Sequence, residues 1–376
     1  MQEFIGKYTK CKVFNDVIEE SAIKQIYEFL NHPAFEDNTI RIMPDVHAGT
    51  GAVIGFTSTL GTKIIPNVIG VDIGCGVLCY ALGNINIDFD SFDAHLRTNI
   101  PSGCTIRSKT PIREIMDKSY KQINRKEMSG EFLNLIKETA KNTKQEEQYI
   151  INSLGSLGGG NHFIEIGQDE EENKYLTIHS GSRNFGLKIA TYHQKIAKMD
   201  NSFGVLSYLE NENADLYCKH MEIATYYAKW NREIIANILF GHQLKERYES
   251  VHNYIDFQDR IIRKGAISAK KDEKIVIPWN MRDGLILGVG LGNKDWNCSA
   301  PHGAGRIMGR KFAKKNLNLE EYKQTMTGIW SSCINEGTLD ESPMAYKNSE
   351  EIEQSLGPSV KIIKKIKPIY NFKASE

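Results

Sequence analysis

No Cys-x-x-Cys pair occurs in the 376 residues, although seven cysteines are present: Cys11, Cys75, Cys79, Cys104, Cys218, Cys298 and Cys333. Zinc knuckles and thioredoxin-like redox motifs are therefore not offered. The odd, scattered count fits a reducing compartment better than a disulfide framework. No apolar run approaches the ~20 residues that a membrane-spanning helix needs. The segment Met1-Gln2-Glu3-Phe4-Ile5 lacks the basic stretch and apolar core of a signal peptide, so a cytoplasmic protein with no membrane partner is expected. Net charge is absent too, because 47 Lys and Arg balance 47 Asp and Glu. That weakens the case for a basic field over the whole surface and leaves room for a local basic groove. No internal repeat or low-complexity linker divides the chain.

What is present is ordinary globular composition, 40% hydrophobic and 25% charged, over a length that supports a large core. Residues 39–82 are rich in β-branched residues and glycine, with Ile40-Arg41-Ile42-Met43, Val53-Ile54-Gly55-Phe56, Lys63-Ile64-Ile65 and Gly76-Val77-Leu78-Cys79-Tyr80 reading as short buried strands. Strand-like runs recur at 155–166, 175–180, 274–277 and 285–289. Helical spacing marks 20–30 and 111–148, the latter through Ile115, Met116, Tyr120, Phe132, Leu135 and Ile136. A helical stretch over 189–248 carries Ala224, Ala228, Ile235, Ile238 and Leu239 as a buried stripe. Helices are also expected over 304–315, 319–334 and 349–365, the last begun by Asn348 with Glu351 three residues on. The unusual residues are spread across the β segments. This predicts an α+β fold, a single interleaved domain over 1–376 with mixed β-sheets at its core and surrounding helices. Residues 189–248 are expected to be a helical insertion within it.

Five of the ten histidines sit in glycine-rich or turn-like runs: His47, His162, His179, His252 and His302. The other five, His32, His95, His193, His220 and His242, lie in helical surroundings and read as solvated or packed side chains. The run Val71-Asp72-Ile73-Gly74-Cys75-Gly76 adds a carboxylate and a thiol among glycines. Taken alone, it reads equally as a tight turn carrying a small apolar cysteine. Taken with the histidines, Asp72, Cys75, His162, His179 and His252 form a mixed oxygen, sulfur and nitrogen donor set. The set is larger than one tetrahedral ion with an open position requires, and two ions sharing a thiolate would use it. Such donors suit Mn, Fe, Co or Zn better than Mg or Ca. His302, before Gly303-Ala304-Gly305-Arg306, reads either as a plain turn and helix start or as a nucleophile at an anion site. Gly181-Ser182-Arg183 reads either as a polar turn or as a phosphate contact for an RNA backbone.

Eight motifs in one order resemble the RtcB-type RNA-splicing ligase family: PDVH at 44–47, VDIGCG at 71–76, GGGNHFIE at 158–165, HSGSR at 179–183, HNY at 252–254, RKGA at 263–266, HGAGR at 302–306 and PMAYK at 343–347. The resemblance implies a GTP- and Mn²⁺-dependent ligase of tRNA splicing or RNA repair. It would join RNA ends bearing a 2′,3′-cyclic phosphate or 3′-phosphate to 5′-hydroxyl ends. It implies two Mn²⁺ ions on Asp72, Cys75, His162, His179 and His252, with Cys75 bridging. His302 falls on the histidine that accepts GMP, which then passes to the RNA 3′-phosphate. Asp45 falls on an active-site acid. Guanylate contacts fall on Asn161, Glu165, Gly303, Ala304, Gly305, Arg306, Tyr346 and Lys373, while Ser182 and Arg183 are read from their own chemistry as the RNA contacts. The family's small residues after Ile-Pro are replaced here by Trp279-Asn280-Met281-Arg282-Asp283, which puts Asn280 on the guanylate wall and alters that wall's chemistry. A monomer, with an archease-type activator, is the expected assembly. A metal-dependent phosphodiesterase that opens cyclic phosphates without ligation, or a non-catalytic RNA-end-binding protein, are the alternatives.

Overall fold

The computed structural model describes residues 1–108 and 130–374. Ile115, Met116 and Tyr120 of the expected helix over 111–148 lie outside the described residues. Within that stretch, helices cover Gly130–Asn142 and Glu147–Asn152.

Among the described residues, the strands form two large sheets and a ribbon. One sheet has the spatial order β1 (Gln2–Ile5), β2 (Lys10–Val13), β3 (Ile40–His47), β4 (Ile54–Thr59), β10 (Ile261–Lys264) and β9 (Asn253–Asp256). Its β2–β3 pair is parallel and its other pairs are antiparallel. The second sheet is antiparallel throughout, in the order β12 (Lys274–Pro278), β13 (Leu285–Gly290), β15 (Val360–Lys373), β6 (Phe163–Gln168), β7 (Lys174–Ser180), β5 (Gly76–Gly83) and β8 (Arg247–Val251). The ribbon pairs β11 (Ala266–Ser268) with β14 (Ser299–Pro301). This is the α+β class expected from the sequence.

The helix Asn211–Phe240 buries Ala214, Tyr217, Met221, Ala224, Ala228, Asn231 and Ile235, which recur every three or four residues. Gly241 ends it at φ +48°, in the left-handed region that glycine enters without steric cost. The helix packs against β5, β7 and β9, and so touches both large sheets. Arg183–Asp200 packs beside it. The expected helical stretch ends earlier than 248, because β8 begins at Arg247.

The C-terminal expectation needs correction. A helix does start after Asn348, whose side chain accepts from the Glu350 amide at 2.9 Å, but it stops at Ser355. From Val360 the chain is a 14-residue strand in the interior of the second sheet, between β13 and β6. Val360 and Ile366 are buried while Lys361, Ile363, Lys365 and Lys367 are exposed, and a register shift opposite Leu287/Gly288 absorbs the doubled Ile362-Ile363, which leaves a strand with one wet face. Helices at 304–315 and 319–334 are also shorter than expected, covering Arg310–Asn316 and Leu319–Thr325.

Candidate metal and nucleotide site

The antiparallel register brings four donor segments to one end of the second sheet. Gly76 pairs with Ser180 on β7 and with Val251 on β8, and Phe163 pairs with His179. Cys75, His162, His179 and His252 therefore sit within a residue of these pairs, at adjacent strand ends. His252 occupies the step between β8 of one sheet and β9 of the other, and its amide donates to the Cys75 carbonyl at 2.9 Å. Asp72 and Cys75 share a turn closed by the Cys75 amide on the Asp72 carbonyl at 3.2 Å. Gly74 in that turn has φ +71°, and a Cβ there would lie 2.7 Å from Thr225 Cα of the long helix. Both the conformation and the close approach require glycine.

The side chains converge. Cys75 Sγ lies 3.4 Å from His162 Nε2 and 3.3 Å from His179 Nε2. Asp72 Oδ2 is 3.0 Å from His162 Nε2, and His179 Nε2 is 3.3 Å from His252 Nε2. His162 Nδ1 faces the Leu157 carbonyl at 2.9 Å, and His179 Nδ1 faces the Asn161 carbonyl at 3.1 Å. Each Nδ1 is thus held by a backbone carbonyl, which turns each Nε2 inward toward the other donors. Burial, aided by the charges of neighbouring histidines, holds His179 and His252 well below the usual imidazole range. Burial raises Asp72, but its hydrogen bond and charge contact with His162 more than offset this and lower its carboxyl below the ordinary value. Burial, and then Asp72, push the Cys75 thiol up. Imidazole nitrogens, a carboxylate and a thiol gathered within contact distance of one another fit divalent cations of the Mn-to-Zn range.

His302 stands beside this group. Its ring centroid is 4.9 Å from that of His252, whose ring is 5.1 Å from that of His179. Asp45 is fully buried, and its Oδ2 accepts from the His302 amide at 3.2 Å and contacts Nδ1 at 2.7 Å. Holding Nδ1 leaves Nε2 as the free nitrogen. Gly305 has φ +76°, and a Cβ there would sit 2.5 Å from the Asp45 carbonyl oxygen, so the turn seats directly on Asp45. The expected helix does not open after this turn. Arg306 instead bridges to the Tyr346 backbone, and its guanidinium reaches Glu341 Oε1 at 3.0 Å. The anion-binding helix terminus anticipated at 304–306 is therefore not formed.

A cavity of about 750 Å³ joins these groups. Asp72, Cys75, His179, His252 and His302 border it on one side. Asn161, Glu165, Asn280, Gly303, Ala304, Gly305, Arg306, Tyr346 and Lys373 border it as well. Glu165 receives a hydrogen bond from Asn371 Nδ2 at 2.8 Å, yet burial outweighs this and the Lys373 charge and pushes its carboxyl up to about 8. Glu341 gathers Lys373 Nζ at 2.6 Å, the Tyr346 hydroxyl at 2.6 Å and Arg306. Burial raises it, but Lys373, Arg310 and Arg306 win and hold it at about 2. The sequence reading missed Glu341 and Asn371, whose partners lie 32 and 206 residues away.

Three expected contacts are placed otherwise than a ligand wall needs. Asn280 borders the cavity, but its amide donates to Asp283 Oδ2 at 2.8 Å and its Oδ1 accepts from the Arg282 and Asp283 amides at 3.0 and 2.9 Å. Ser182 is fully buried. Arg183 donates to the Gly103 carbonyl at 2.6 Å and to Ser156 Oγ at 3.2 Å. Ser182 and Arg183 are absent from the cavity lining. Among the five helical histidines, His32, His193 and His220 are buried, while His95 and His242 are exposed. No helix among the described residues is long and apolar enough to cross a membrane.

Comparison with known proteins agrees with the order of the motifs. The family described as tRNA-splicing ligase RtcB matches residues 25–374. RNA-splicing ligase RtcB of Escherichia coli (strain K12) is 29% identical, over 92% of each protein. RNA-splicing ligase RtcB1 of Escherichia coli (strain ATCC 25922) is 30% identical, again over 92% of each. The tRNA-splicing ligase RtcB of Nanoarchaeum equitans is 26% identical over 96% of this chain and 93% of its own length. The chain belongs to the tRNA-splicing ligase RtcB family.

Proposed function

We propose that this chain is an RNA ligase that uses GTP and Mn²⁺ to join 2′,3′-cyclic phosphate or 3′-phosphate ends to 5′-hydroxyl ends. The relatives are named RNA-splicing or tRNA-splicing ligases. The observation that carries the reading is His302. Its Nδ1 is held by buried Asp45, and its ring lies against His252 of the donor cluster, at the edge of one cavity.

Asp45 acts through His302 and keeps the imidazole turned so that Nε2 is the nucleophile. His302 Nε2 attacks the α-phosphorus of GTP, a nitrogen–phosphorus bond forms and pyrophosphate leaves. An oxygen of the RNA 3′-phosphate then takes the GMP, and the nitrogen–phosphorus bond breaks, restoring His302. The 5′-hydroxyl finally attacks the RNA phosphorus, forming the new phosphodiester and releasing GMP. A cyclic phosphate is first opened by water to the 3′-phosphate. Asp72, Cys75, His162, His179 and His252 would hold two Mn²⁺ ions, whose charge offsets what develops on the phosphate oxygens. Glu165, Tyr346 and Lys373 are the groups we assign to the guanine base. Arg306, pinned by Glu341, fixes the Gly303–Gly305 backbone beside the phosphates.

Radiolabelled GTP, labelled at the α-phosphate, with Mn²⁺ should leave acid-labile label on the wild-type protein and none on His302→Ala. Absence of label on the wild type, or equal label on His302→Ala, would overturn the reading. The same assay with ATP tests the altered wall at Trp279–Asp283. Joined product from 5′-hydroxyl and cyclic-phosphate oligonucleotides separates a ligase from a phosphodiesterase or an end-binding protein.

A further inference from the structure

We infer that Asn231 and Arg232, adjacent on the helix Asn211–Phe240, are positioning residues that set the spacing of the metal-donor segments; the inference rests on the donor set proposed above. Both side chains are fully buried, and neither borders the cavity. Their contacts go to backbone flanking the donors.

Arg232 Nη1 donates to the Gly74 carbonyl at 2.8 Å and to the Ser180 carbonyl at 2.9 Å. Gly74 precedes Cys75, and Ser180 follows His179. The same guanidinium donates from Nε and Nη2 to Glu249 Oε1 at 3.2 and 2.8 Å. Glu249 lies on β8, the strand that ends before His252. Asn231 Oδ1 accepts from the Gly155 and Ser156 amides at 2.8 and 3.2 Å. Asn231 Nδ2 faces the Ser156 carbonyl at 3.0 Å, Ser180 Oγ at 2.9 Å and the Gly181 carbonyl at 3.3 Å. Ser156 precedes Leu157, whose carbonyl accepts from both His162 Nδ1 and Ser180 Oγ, the latter at 2.7 Å.

One turn of one helix therefore reaches the segments carrying Cys75, His162, His179 and His252. Those segments are distant in sequence, so local turn geometry does not fix their mutual distances. A primary amide used on both its oxygen and its nitrogen ties two segments together. A guanidinium fork meets two carbonyls and a carboxylate at once, which an ammonium cannot reproduce. Groups that orient metal donors from behind govern affinity without touching the ion.

Two variants test this. Asn231→Asp keeps the acceptor for Gly155 and Ser156 and loses the donors to Ser156, Ser180 and Gly181. Arg232→Lys keeps the charge beside Glu249 and loses the fork. Each is titrated with Co²⁺ below its melting temperature, on protein shown folded by circular dichroism, and the thiolate–cobalt absorption is followed. Phe29→Leu, in the core of the helix Glu20–Leu30, serves as a destabilised control. The expected result is roughly 10- to 100-fold weaker binding with an altered absorption envelope in both variants, and wild-type binding in the control. Wild-type affinity and spectrum in both variants would overturn this inference alone. No Co²⁺ binding by the wild type would overturn the donor set, and this inference with it. Should Arg232→Lys fail to fold, Asn231→Asp decides the matter, since it preserves shape and the acceptor oxygen.

Discussion

Glu165 and Glu341 are both buried beside Lys373, yet their surroundings drive them in opposite directions. Burial raises Glu341, but three cations outweigh it and hold the carboxyl at about 2. For Glu165 burial prevails over Asn371 and Lys373, and the carboxyl rises to about 8 from an ordinary 4.5. A carboxyl whose folded value is raised contributes stability that is fully present below the unfolded value. That contribution is lost as pH rises from about 4.5 through about 8. Each unit corresponds to about 1.4 kcal/mol. Glu165→Gln keeps the uncharged form at every pH. Its melting temperature in metal-free buffer should hold a constant offset from wild type near pH 4 and gain steadily on it towards pH 8. An offset that stays flat over the whole range would mean that folding leaves the Glu165 carboxyl at its ordinary value.

At the scale of elements, the donors are legible because they sit where strands end and glycine begins. Asp72, Cys75 and His162 stand in glycine-rich turns, and His179 precedes one, so short-range pattern exposes them. The strands β3, β4, β5, β7, β12 and β13 are legible for a similar reason, as compact β-branched runs. What was not legible depends on distance along the chain. Arg232 reaches Gly74 across 158 residues, and nothing in Asn231-Arg232 marks it as different from other polar pairs on a helix. The strand Val360–Lys373 was misread because its lysines resemble a solvated helix face until its neighbours β13 and β6 are known. Gly181 offers a test of the donor geometry at this scale. A Cβ there would lie 2.2 Å from Asp72 Oδ1, while its backbone conformation is accessible to any residue. Gly181→Ala should therefore displace the Asp72 carboxylate and not the fold. Calorimetric titration should show Mn²⁺ binding weakened by roughly tenfold or more. The metal-free melting temperature should stay close to wild type. A large fall in that temperature with intact affinity would contradict the assignment of Asp72.

At the scale of the whole molecule, the donor set works across the two large sheets. Asp72, Cys75, His162 and His179 belong to the end of the second sheet, while His252 stands where the chain passes from β8 into β9 of the first. His302 follows the ribbon and leans on Asp45 of β3. A bound cation would thus staple segments that otherwise meet through side-chain packing, and ligand bound to the folded state alone stabilises it by mass action. At 100 times the dissociation constant the gain is about 2.7 kcal/mol. With about 2.1 cal/mol/K of unfolding entropy per residue, a chain of this length should melt about 3 °C higher for each bound Mn²⁺ than with chelator. Cys75→Ser and His252→Ala should lose most of that shift. His302→Ala should keep it, because its imidazole is engaged by Asp45 and not by the donors, even though it forms no guanylate adduct. The two readouts separate metal holding from nucleotidyl transfer on one set of proteins. A full shift in His252→Ala would remove His252 from the donor set, and a lost shift in His302→Ala would add His302 to it.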